Sequence, residues 1–327
     1  MEKVFELLAC LRDGQIHSGA TLAASLGITR AAVWSRVQRL QALGVQVFAV
    51  SGKGYRIDQG FEFLSEALIR QHLAPARAAT LTRVQCVAVT DSTNQQLLQQ
   101  AARGEPIHGA ALLAEYQTAG RGRRGDAWIA PLGSGLCVSL GWRFDAPPTT
   151  MSALGLVVGL GVMRAVMALG ANTRVALKWP NDVLFESRKL AGILIEMRAE
   201  FGGPSTVVIG IGLNTNISPA IRAGISQPVA DLADALSAPV SRNRVAAMLL
   251  EQVVAVLSEF AASGFAAFVA EWQQHDGLRG QQVELTLPDR RVQGTALGVD
   301  ASGMLIIEHA GQRETFLSGH VRLADVA

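Results

Sequence analysis

Gly120-Arg121-Gly122-Arg123-Arg124-Gly125 is the stretch of this 327-residue sequence whose interpretation decides the fold class. It matches the G-x-G-x-x-G fingerprint of dinucleotide-binding folds, in which backbone amides at the start of a helix hold the pyrophosphate. That fingerprint requires a helix to begin immediately, but Trp128 and Pro131 follow here, together with further glycines. It also leaves the three arginines without a role. The stretch is therefore not a dinucleotide fingerprint, and the sequence contains no P-loop pattern either.

Three arginines among three glycines instead describe a loop that closes over an anionic ligand. The guanidinium fork matches phosphate and carboxylate oxygens, and glycine lets the backbone approach a ligand closely. From this stretch alone, the competing interpretation is an exposed flexible loop or an RNA-binding patch.

The composition is typical of a globular protein of two or three domains, at roughly 150 residues per domain. Hydrophobic residues make up 49% of the chain and charged residues 17%, which excludes a disordered polypeptide. Cys10, Cys86 and Cys137 are far apart, which excludes a disulfide scaffold and a cysteine-rich zinc site. Glu6 interrupts the apolar N-terminal stretch, and no uncharged apolar run reaches the ~18 residues of a membrane span. We therefore expect a soluble, cytoplasmic protein with no membrane contact.

Residues 1–60 predict three helices followed by a β-hairpin. Ser18 and Thr29 are suited to cap the second and third helices, and Gly44 to end the third. The region carries seven Lys and Arg against four Asp and Glu, whereas the rest of the chain is close to neutral. Two capped helices with a glycine turn between them, followed by a hairpin, make a winged helix-turn-helix. The basic charge indicates that this domain binds nucleic acid.

The third predicted helix buries Val33, Val37 and Leu40 and turns its polar face outward. We expect DNA contacts from that face and from the hairpin tip, namely from Arg30, Ala31, Trp34, Ser35, Arg36, Gln38, Arg39 and Lys53. Residues near the helix start suit base edges, whereas Arg36 and Lys53 suit phosphates. The alternative is an ordinary three-helix interaction domain with a solvated basic face.

The rest of the chain falls into two regions with different secondary-structure patterns. Residues 61–274 alternate apolar strands with longer helices, which predicts a mixed sheet covered by helices, and the residues from Gly280 onward predict five short strands of a small barrel. We therefore predict an α+β multidomain chain. Its parts are a winged helix-turn-helix over 1–62, a central domain over 63–274 and a small β-barrel over 275–327.

Four motifs, in this order and at this spacing, resemble those of the biotin–protein ligases. They are Asp91-Ser92-Thr93-Asn94, Gln117 through Gly125, Lys178-Trp179-Pro180-Asn181-Asp182 and Arg188-Lys189-Leu190-Ala191-Gly192-Ile193. The predicted DNA-binding domain and barrel are similar to those of the bifunctional bacterial ligases, so the resemblance covers essentially the whole chain. It implies that residues 63–274 are the catalytic domain and that residues 275–327 form an SH3-like barrel. Residues 215–240 depart from the family pattern, which leaves the adenine contacts open beyond Trp128.

The resemblance implies a two-step reaction. Biotin and ATP, with Mg²⁺, form biotinyl-5′-adenylate, and biotin is then transferred to a lysine of the biotin carboxyl carrier protein. It further implies a homodimer in the adenylate-bound state, which binds operator DNA and represses biotin biosynthesis genes.

The matching positions assign the site residues. Biotin is expected to contact Ser92, Thr93, Asn94, Gln117, Arg121, Gly122, Arg123 and Lys189. The nucleotide is expected to contact Arg121, Arg123, Arg124, Trp128 and Asn181. Arg123, Lys189 and Asp182 are the expected catalytic residues, and no metal ligands are assigned.

These residue types suit the chemistry, although each has an alternative role. A ureido ring needs short polar partners in an apolar pocket, and Lys189 would place an ammonium where charge builds during adenylation. Ser92 and Thr93 are equally suited to cap the following helix, and Lys189 to be a solvated strand-edge charge. Asp182 is either a turn residue or the carboxylate that helps the acceptor lysine lose its proton.

Two other functions compete with a bifunctional ligase. One is a transcription factor whose enzymatic residues now only sense biotin, which the intact Arg123, Asp182 and Lys189 disfavour. The other is a lipoate ligase, in which the glycine-rich and lysine motifs are arranged differently and the winged helix is absent.

Overall fold

The computed structural model describes residues 2–57, 60–171, 174–199 and 204–324. It contains an N-terminal helical unit with a hairpin, a central seven-stranded sheet with helices, and a C-terminal five-stranded sheet. The predicted fold class is confirmed.

The N-terminal unit is a winged helix-turn-helix. Its elements are α1 (Glu2–Leu11), α2 (Gly19–Ser25), α3 (Arg30–Ala42), β1 (Val47–Val50) and β2 (Gly54–Ile57). The Ser18 hydroxyl accepts the backbone N–H of Thr21 at 3.0 Å, and the Thr29 hydroxyl accepts that of Ala32 at 3.2 Å. Both helix caps are therefore those that the sequence predicted. β1 and β2 pair in an antiparallel hairpin, which forms the wing.

The central unit is built on a mixed sheet. Its helices are α4 (Glu66–His72), α5 (Pro75–Thr80), α6 (Thr93–Ala102), α7 (Leu154–Ala168), α8 (Pro219–Ala223), α9 (Leu232–Ala235), α10 (Arg242–Ser263) and α11 (Val269–Gln274). Its strands are β3 (Arg83–Thr90), β4 (Ala110–Gln117), β5 (Gly135–Phe144), β6 (Val175–Lys178), β7 (Asp182–Phe185), β8 (Arg188–Ala199) and β9 (Ser205–Asn214). The strand order is β3-β4-β5-β9-β8-β7-β6, in which only β3 and β4 pair in parallel.

The two faces of this sheet are covered unequally. Helices α4, α7 and α10 pack on one face over the large hydrophobic core, to which Leu113 and Ile209 contribute. Helix α6 lies on the other face over a small cluster that includes Leu112 and Val208. Because successive strand residues point to opposite faces, the same strands serve both clusters. The α6 face is only partly covered, which leaves space for a cavity.

Helix α10 is long and apolar enough to cross a membrane, by length and composition alone. Its apolar side is buried, however: Val253 and Val256 are 1% and 0% exposed. A Cβ on Gly161 of α7 would lie 2.9 Å from the Val256 side chain, so the glycine permits the close approach of the two helices. Helix α10 therefore packs as a core helix of the central unit.

The C-terminal unit is a single antiparallel sheet. Its strands are β10 (Gln282–Thr286), β11 (Arg291–Val299), β12 (Leu305–His309), β13 (Gln312–Phe316) and β14 (His320–Leu323), in the order β13-β12-β11-β10-β14. The two edge strands β13 and β14 are consecutive in the chain and are separated only by residues 317–319. A flat five-stranded sheet would hold them about 19 Å apart, so the sheet must curl as a small barrel does.

Polar and apolar contacts join the three units. Glu62, in the segment after the wing, accepts hydrogen bonds from Arg242 N at 2.6 Å and Asn243 Nδ2 at 2.8 Å, both at the start of α10. Leu132, in the segment before β5, is buried in the hydrophobic core of the winged helix, and its N–H donates to Leu43 O at 2.9 Å. The indole N–H of Trp179 donates to Gly303 O of the C-terminal unit at 3.1 Å.

Candidate active site

A cavity of about 410 Å³ opens on the α6 face of the central sheet. Gly192, Gly210 and Gly212, on the paired strands β8 and β9, lie along it and keep it free of side chains there. A Cβ on Gly210 would lie 2.4 Å from Asn94 Oδ1, and one on Gly212 would lie 2.1 Å from the Trp128 ring. Any larger residue at these positions would displace the groups that line the cavity.

The cavity collects every ligand and catalytic residue that the sequence predicted for the ligase. Those residues are Ser92, Thr93, Asn94, Gln117, Arg121, Gly122, Arg123, Arg124, Trp128, Asn181, Asp182 and Lys189. They come from four separate segments of the chain, which the sheet and the start of α6 bring together.

One end of the cavity is lined by short polar side chains. The Ser92 hydroxyl caps α6 by accepting the Gln95 N–H at 3.5 Å, which is the alternative role that the sequence left open. Gln117 Oε1 accepts the backbone N–H of Thr93 at 2.8 Å. Thr93 and Asn94 are each only 3% exposed. These groups are held in place by hydrogen bonds within the protein.

The glycine-arginine loop also lines the cavity. Residues Arg123–Gly125 form a single 3-10 turn with Arg124 in the left-handed region at φ 55°, and Gly122 N–H donates to Asp126 O at 2.7 Å. Arg123 Nη1 donates to Asn181 Oδ1 at 3.1 Å. Burial, together with the positive charge of Arg124, lowers the pKa of Arg123. The site is thus built to receive an anion.

Arg121, which the sequence assigned to both ligands, has protein partners in this structure. Its guanidinium forms an ion pair with Glu196 at 2.8 Å and donates to Gln95 Oε1 at 2.8 Å. It lines the cavity from that position.

Lys189 lies where the loop, β7 and β8 meet. Its Nζ is 2.9 Å from Asp182 Oδ1 and 5.7 Å from the centre of the Trp128 ring. Lys178 also lines the cavity, and burial lowers its pKa, with Lys189 adding to the effect and Asp182 opposing it. Trp128 lies against Gly192 and Gly212 of the sheet, with its indole N–H buried and unpartnered among the described residues.

Sequence reasoning missed several residues of the cavity and its walls. Ser139 is fully buried beside Thr93 and Asn94, and Glu196 is the partner of Arg121. Both lie in apolar strands, where no sequence signal distinguishes them from ordinary polar positions. His320 comes from the C-terminal unit; burial is the main cause that lowers its pKa, and the charge of Lys178 contributes.

The segment that departs from the family pattern also reaches the cavity. Ser226 and Gln227 line it, and the adjoining backbone pairs with the lysine motif. Lys189 N–H donates to Pro228 O, and Ala230 N–H donates to Lys189 O, both at 2.9 Å. Residues 226–230 therefore lie directly beside Lys189.

The predicted DNA-binding residues lie on the winged helix, away from this cavity. Arg30, Ala31, Trp34, Ser35, Gln38, Arg39 and Lys53 are exposed, with Trp34 at 58%. Arg36 differs: its side chain is only 12% exposed and donates to Glu6 Oε2 of α1 at 3.2 Å. The ion pair with α1 competes with the phosphate contact that the sequence assigned to Arg36, and that contact stays a prediction.

Comparisons with known proteins agree with this architecture. Residues 86–214 match the biotin/lipoate A/B protein ligase family, residues 3–56 a helix-turn-helix domain family, and residues 279–323 the biotin protein ligase C-terminal domain family. The chain is 36% identical over 318 residues to the bifunctional ligase/repressor BirA of Escherichia coli (strain K12), which covers 97% of this chain and 96% of that protein.

Two further relatives lack part of this length. The biotin–[acetyl-CoA-carboxylase] ligase of Mycobacterium tuberculosis is 35% identical over 262 residues, covering 79% of this chain and 95% of that protein. The structure of the biotin protein ligase from Aquifex aeolicus in complex with biotin and ATP superposes with a TM-score of 0.63 at 26% identity, covering 74% of this chain and 100% of that chain.

The fold, the four motifs in one cavity and these matches define a biotin–protein ligase with a DNA-binding domain. More particularly, the chain belongs to the family of bifunctional ligase/repressors, because the Escherichia coli relative matches almost its full length, winged helix included. The family, the ligase activity and the DNA-binding domain that the sequence predicted are thereby confirmed.

Proposed function

We propose that the protein activates biotin with ATP and transfers it to a lysine of the biotin carboxyl carrier protein. The observation that carries this proposal is the meeting of two unlike sets of groups in one cavity. Short hydroxyl and amide groups line it, and so do the cations Arg121, Arg123, Lys178 and Lys189. The first set suits a ureido ring, and the second suits a carboxylate next to phosphates.

In the first step, the biotin carboxylate attacks the α-phosphorus of ATP, and pyrophosphate leaves. Arg123 is held by Asn181 at the loop, and its guanidinium is proposed to contact the carboxylate and the α-phosphate. Lys189 is fixed by Asp182 and supplies positive charge where negative charge builds on the phosphoryl oxygens. A preorganised donor of this kind contributes roughly 10²–10³-fold to the rate.

In the second step, the carrier lysine attacks the carbonyl carbon of the mixed anhydride, and AMP leaves. The attacking amine must lose a proton, and Asp182 is the carboxylate beside Lys189 that we assign to accept it. Trp128 is proposed to contact the adenine, together with Arg124 and the backbone near Ser226 and Gln227.

Mg²⁺ is proposed to enter as MgATP. Within residues 2–57, 60–171, 174–199 and 204–324, no group of three or more His, Cys, Asp or Glu side chains is placed to hold a metal ion. The ion is therefore treated as part of the nucleotide substrate, with the triphosphate as its main ligand.

Mass spectrometry of carrier protein incubated with the chain, biotin and MgATP tests the ligase proposal. The expected product carries one biotinyl group on a single lysine, and its formation requires both small substrates. Unmodified carrier under these conditions would contradict the proposal. Pyrophosphate exchange driven by biotin separates adenylation from transfer and distinguishes an enzyme from a biotin sensor.

We further propose that the adenylate-bound chain forms a homodimer that represses biotin genes. One winged helix reads only a short half-site, so specific operator binding needs a two-fold axis that matches a palindrome. A ligand shifts such an equilibrium only by its differential affinity for monomer and dimer. Typical couplings of about 1–3 kcal/mol would make the dimer roughly 5–150-fold more favoured.

Sedimentation at fixed protein concentration tests this coupling. Biotin with MgATP should shift the chain toward dimer, biotin alone should shift it less, and unmodified carrier protein should oppose the shift by competing for the active-site face. A monomer–dimer equilibrium that is the same in all conditions would contradict the coupling, even if ligation and DNA binding were each observed.

We propose the domain boundaries 1–62, 63–274 and 275–327. A chain that begins at Phe61 keeps the Glu62 contacts with α10 and should still ligate biotin, but it should not bind DNA. Its activity should be lower, because Leu132 loses the apolar neighbours that the winged helix supplies. Complete loss of adenylation in a folded shortened chain would show that the winged helix takes part in the site directly.

A further inference from the structure

Glu196, a residue of β8 with a side chain 19% exposed, joins two parts of the cavity that are far apart in the sequence. One carboxylate oxygen pairs with Arg121 of the glycine-arginine loop at 2.8 Å. The other accepts a hydrogen bond from Asn94 Nδ2, in the first turn of α6, at 3.0 Å. Glu196 therefore contacts both the loop and the polar end of the cavity.

The carboxylate fixes the orientation of the Asn94 amide. An ionised carboxylate and a backbone carbonyl only accept hydrogen bonds, and Asn94 faces both, with Glu196 Oε2 at 3.0 Å and Leu194 O at 3.4 Å. The amide nitrogen must therefore point toward β8. Asn94 Oδ1 then points the other way, to the Ser139 hydroxyl at 2.5 Å.

This orientation determines the direction of the hydrogen bonds that follow. Ser139 has one hydroxyl proton, and Asn94 Oδ1 takes it, so Ser139 Oγ accepts the proton of Thr93 Oγ1 at 2.7 Å. The Thr93 hydroxyl is then not donated to Gln117 Oε1, which lies 3.1 Å away. Gln117 Oε1 still accepts the Thr93 backbone N–H at 2.8 Å and keeps its second lone pair for a ligand.

We propose that Glu196 is a positioning residue for biotin recognition. By orienting Asn94, it sets the donor–acceptor direction of the hydrogen-bond series Asn94–Ser139–Thr93–Gln117. As a result, Gln117 presents a hydrogen-bond acceptor to a ring N–H of the ligand. The site thereby selects a ligand that donates N–H, such as a cyclic urea, over a ring that has no such donor. Through its second oxygen, Glu196 also holds Arg121 beside the same ligand. The inference rests on the biotin-binding role proposed above and adds the group that determines its specificity.

Glu196→Gln is the variant that tests this role, because it keeps the shape and removes the acceptor-only character. The new amide nitrogen faces either Asn94 or Arg121. In the first case the Asn94 amide flips, and each hydrogen bond in the series that runs from Asn94 to Gln117 reverses its direction. The Thr93 hydroxyl then donates to the lone pair of Gln117 Oε1 that was free for the ligand. In the second case the amide opposes the guanidinium. Ser139→Ala interrupts the same hydrogen-bond series in its middle and leaves the contacts of Arg121 unchanged.

The measurement is steady-state pyrophosphate exchange with biotin and ATP varied separately. Both variants should raise the KM for biotin roughly tenfold to a hundredfold. Ser139→Ala, which leaves Arg121 in place, should change the KM for ATP by less than about twofold. Transfer from preformed biotinyl-5′-adenylate should keep its kcat. The double variant should be no worse than the poorer single variant, because both interrupt one chain. Glu105→Gln, at an exposed ion pair with Arg103, is the matched control and should leave all constants unchanged.

The outcomes separate this inference from the proposed function. If the wild-type chain exchanges pyrophosphate but Glu196→Gln and Ser139→Ala both keep the wild-type KM for biotin, the positioning role is wrong while the ligase stands. Equal losses for biotin and ATP in Ser139→Ala, or additive effects in the double variant, would also overturn it. A wild-type chain with no biotin-dependent exchange would contradict the proposed function itself.

Discussion

The ligand cavity and the DNA-facing surface both use polar side chains, but the two regions hold them in opposite ways. In the cavity, Thr93 and Asn94 are 3% exposed and are hydrogen-bonded to the side chains of Ser139 and Glu196, respectively. On the winged helix, Trp34 is 58% exposed, and Arg39 and Lys53 form no ion pair with any residue that the structure describes. The side chains of the cavity are therefore held by other protein groups, whereas those of the DNA-facing surface extend into solvent.

The difference follows from the size and shape of the two partners. A small, rigid ligand offers few contacts, so its affinity depends on groups whose ordering cost is already met by folding. A DNA duplex offers many phosphates, and solvated cations gain affinity mainly through counterion release. Substitutions in the cavity should therefore have large, coupled effects, and substitutions on the DNA surface should have small effects that add.

Lys189→Met should give the largest effect. It removes the ammonium next to Asp182 and leaves that carboxylate without its 2.9 Å partner inside the cavity. Adenylation should slow by roughly 10²–10³-fold, measured as biotin-dependent pyrophosphate exchange. Lys53→Met, the same substitution on the wing, is the control and should leave exchange unchanged. If the exchange rate of Lys189→Met were within a few-fold of the wild-type rate, the contrast between the cavity and the DNA-facing surface would be wrong.

Arg123→Gly should come next, because it opens the loop without disturbing the sheet. Loss of a charge-assisted hydrogen bond costs roughly 1.5–3 kcal/mol, so the adenylate should dissociate about 10–150-fold faster. The released adenylate would acylate exposed lysines of bystander proteins, which mass spectrometry detects. Arg103→Gly, at the exposed C-cap of α6, is the matched control. Dissociation at the wild-type rate would refute the clamping role of the loop.

The carboxyl of Asp276, next to the strand β6, should make the stability of the fold depend on pH. It lies between His275 and Gly277, which hold β6 through Leu177, and its Oδ2 is buried without a partner among the described residues. Burial raises its pKa from 3.8 to about 6. Because the folded state binds the proton more tightly, stability should fall as the pH rises from about 4 to about 6, by on the order of 2 kcal/mol.

Asp276→Asn removes this titration and should stabilise the chain above pH 6, with little change near pH 4. The variant keeps the acceptor for the Leu278 N–H, which Asp276 Oδ1 holds at 2.9 Å. Denaturant unfolding at several pH values measures the difference between the two chains. A difference independent of pH would show that folding does not raise the pKa of Asp276.

Residues that belong to short local motifs could be predicted from the sequence. Residues whose role depends on a contact with a distant part of the chain could not. The caps Ser18 and Thr29 and the cavity motifs depend on neighbours close in the chain. Ser139 and Glu196, by contrast, become partners of Asn94 only because β5, β9 and β8 lie side by side. The same reason explains Arg36, whose partner Glu6 lies on another helix.

The smallest effect expected is on the DNA surface, where Arg36 and Arg39 form a matched pair on one helix. Arg39→Ala removes an exposed cation, so operator affinity should fall a few-fold and the slope of log K against log salt should decrease by about 1. Arg36→Ala removes the ion pair with Glu6 instead, so the winged helix should lose about 0–1 kcal/mol of stability while the salt slope stays unchanged. Salt titration of operator binding by fluorescence anisotropy, together with thermal unfolding, separates the two. If Arg36→Ala lowered the salt slope as much as Arg39→Ala, Arg36 would exchange Glu6 for a phosphate on binding, and part of the DNA surface would be ordered in advance as the cavity is.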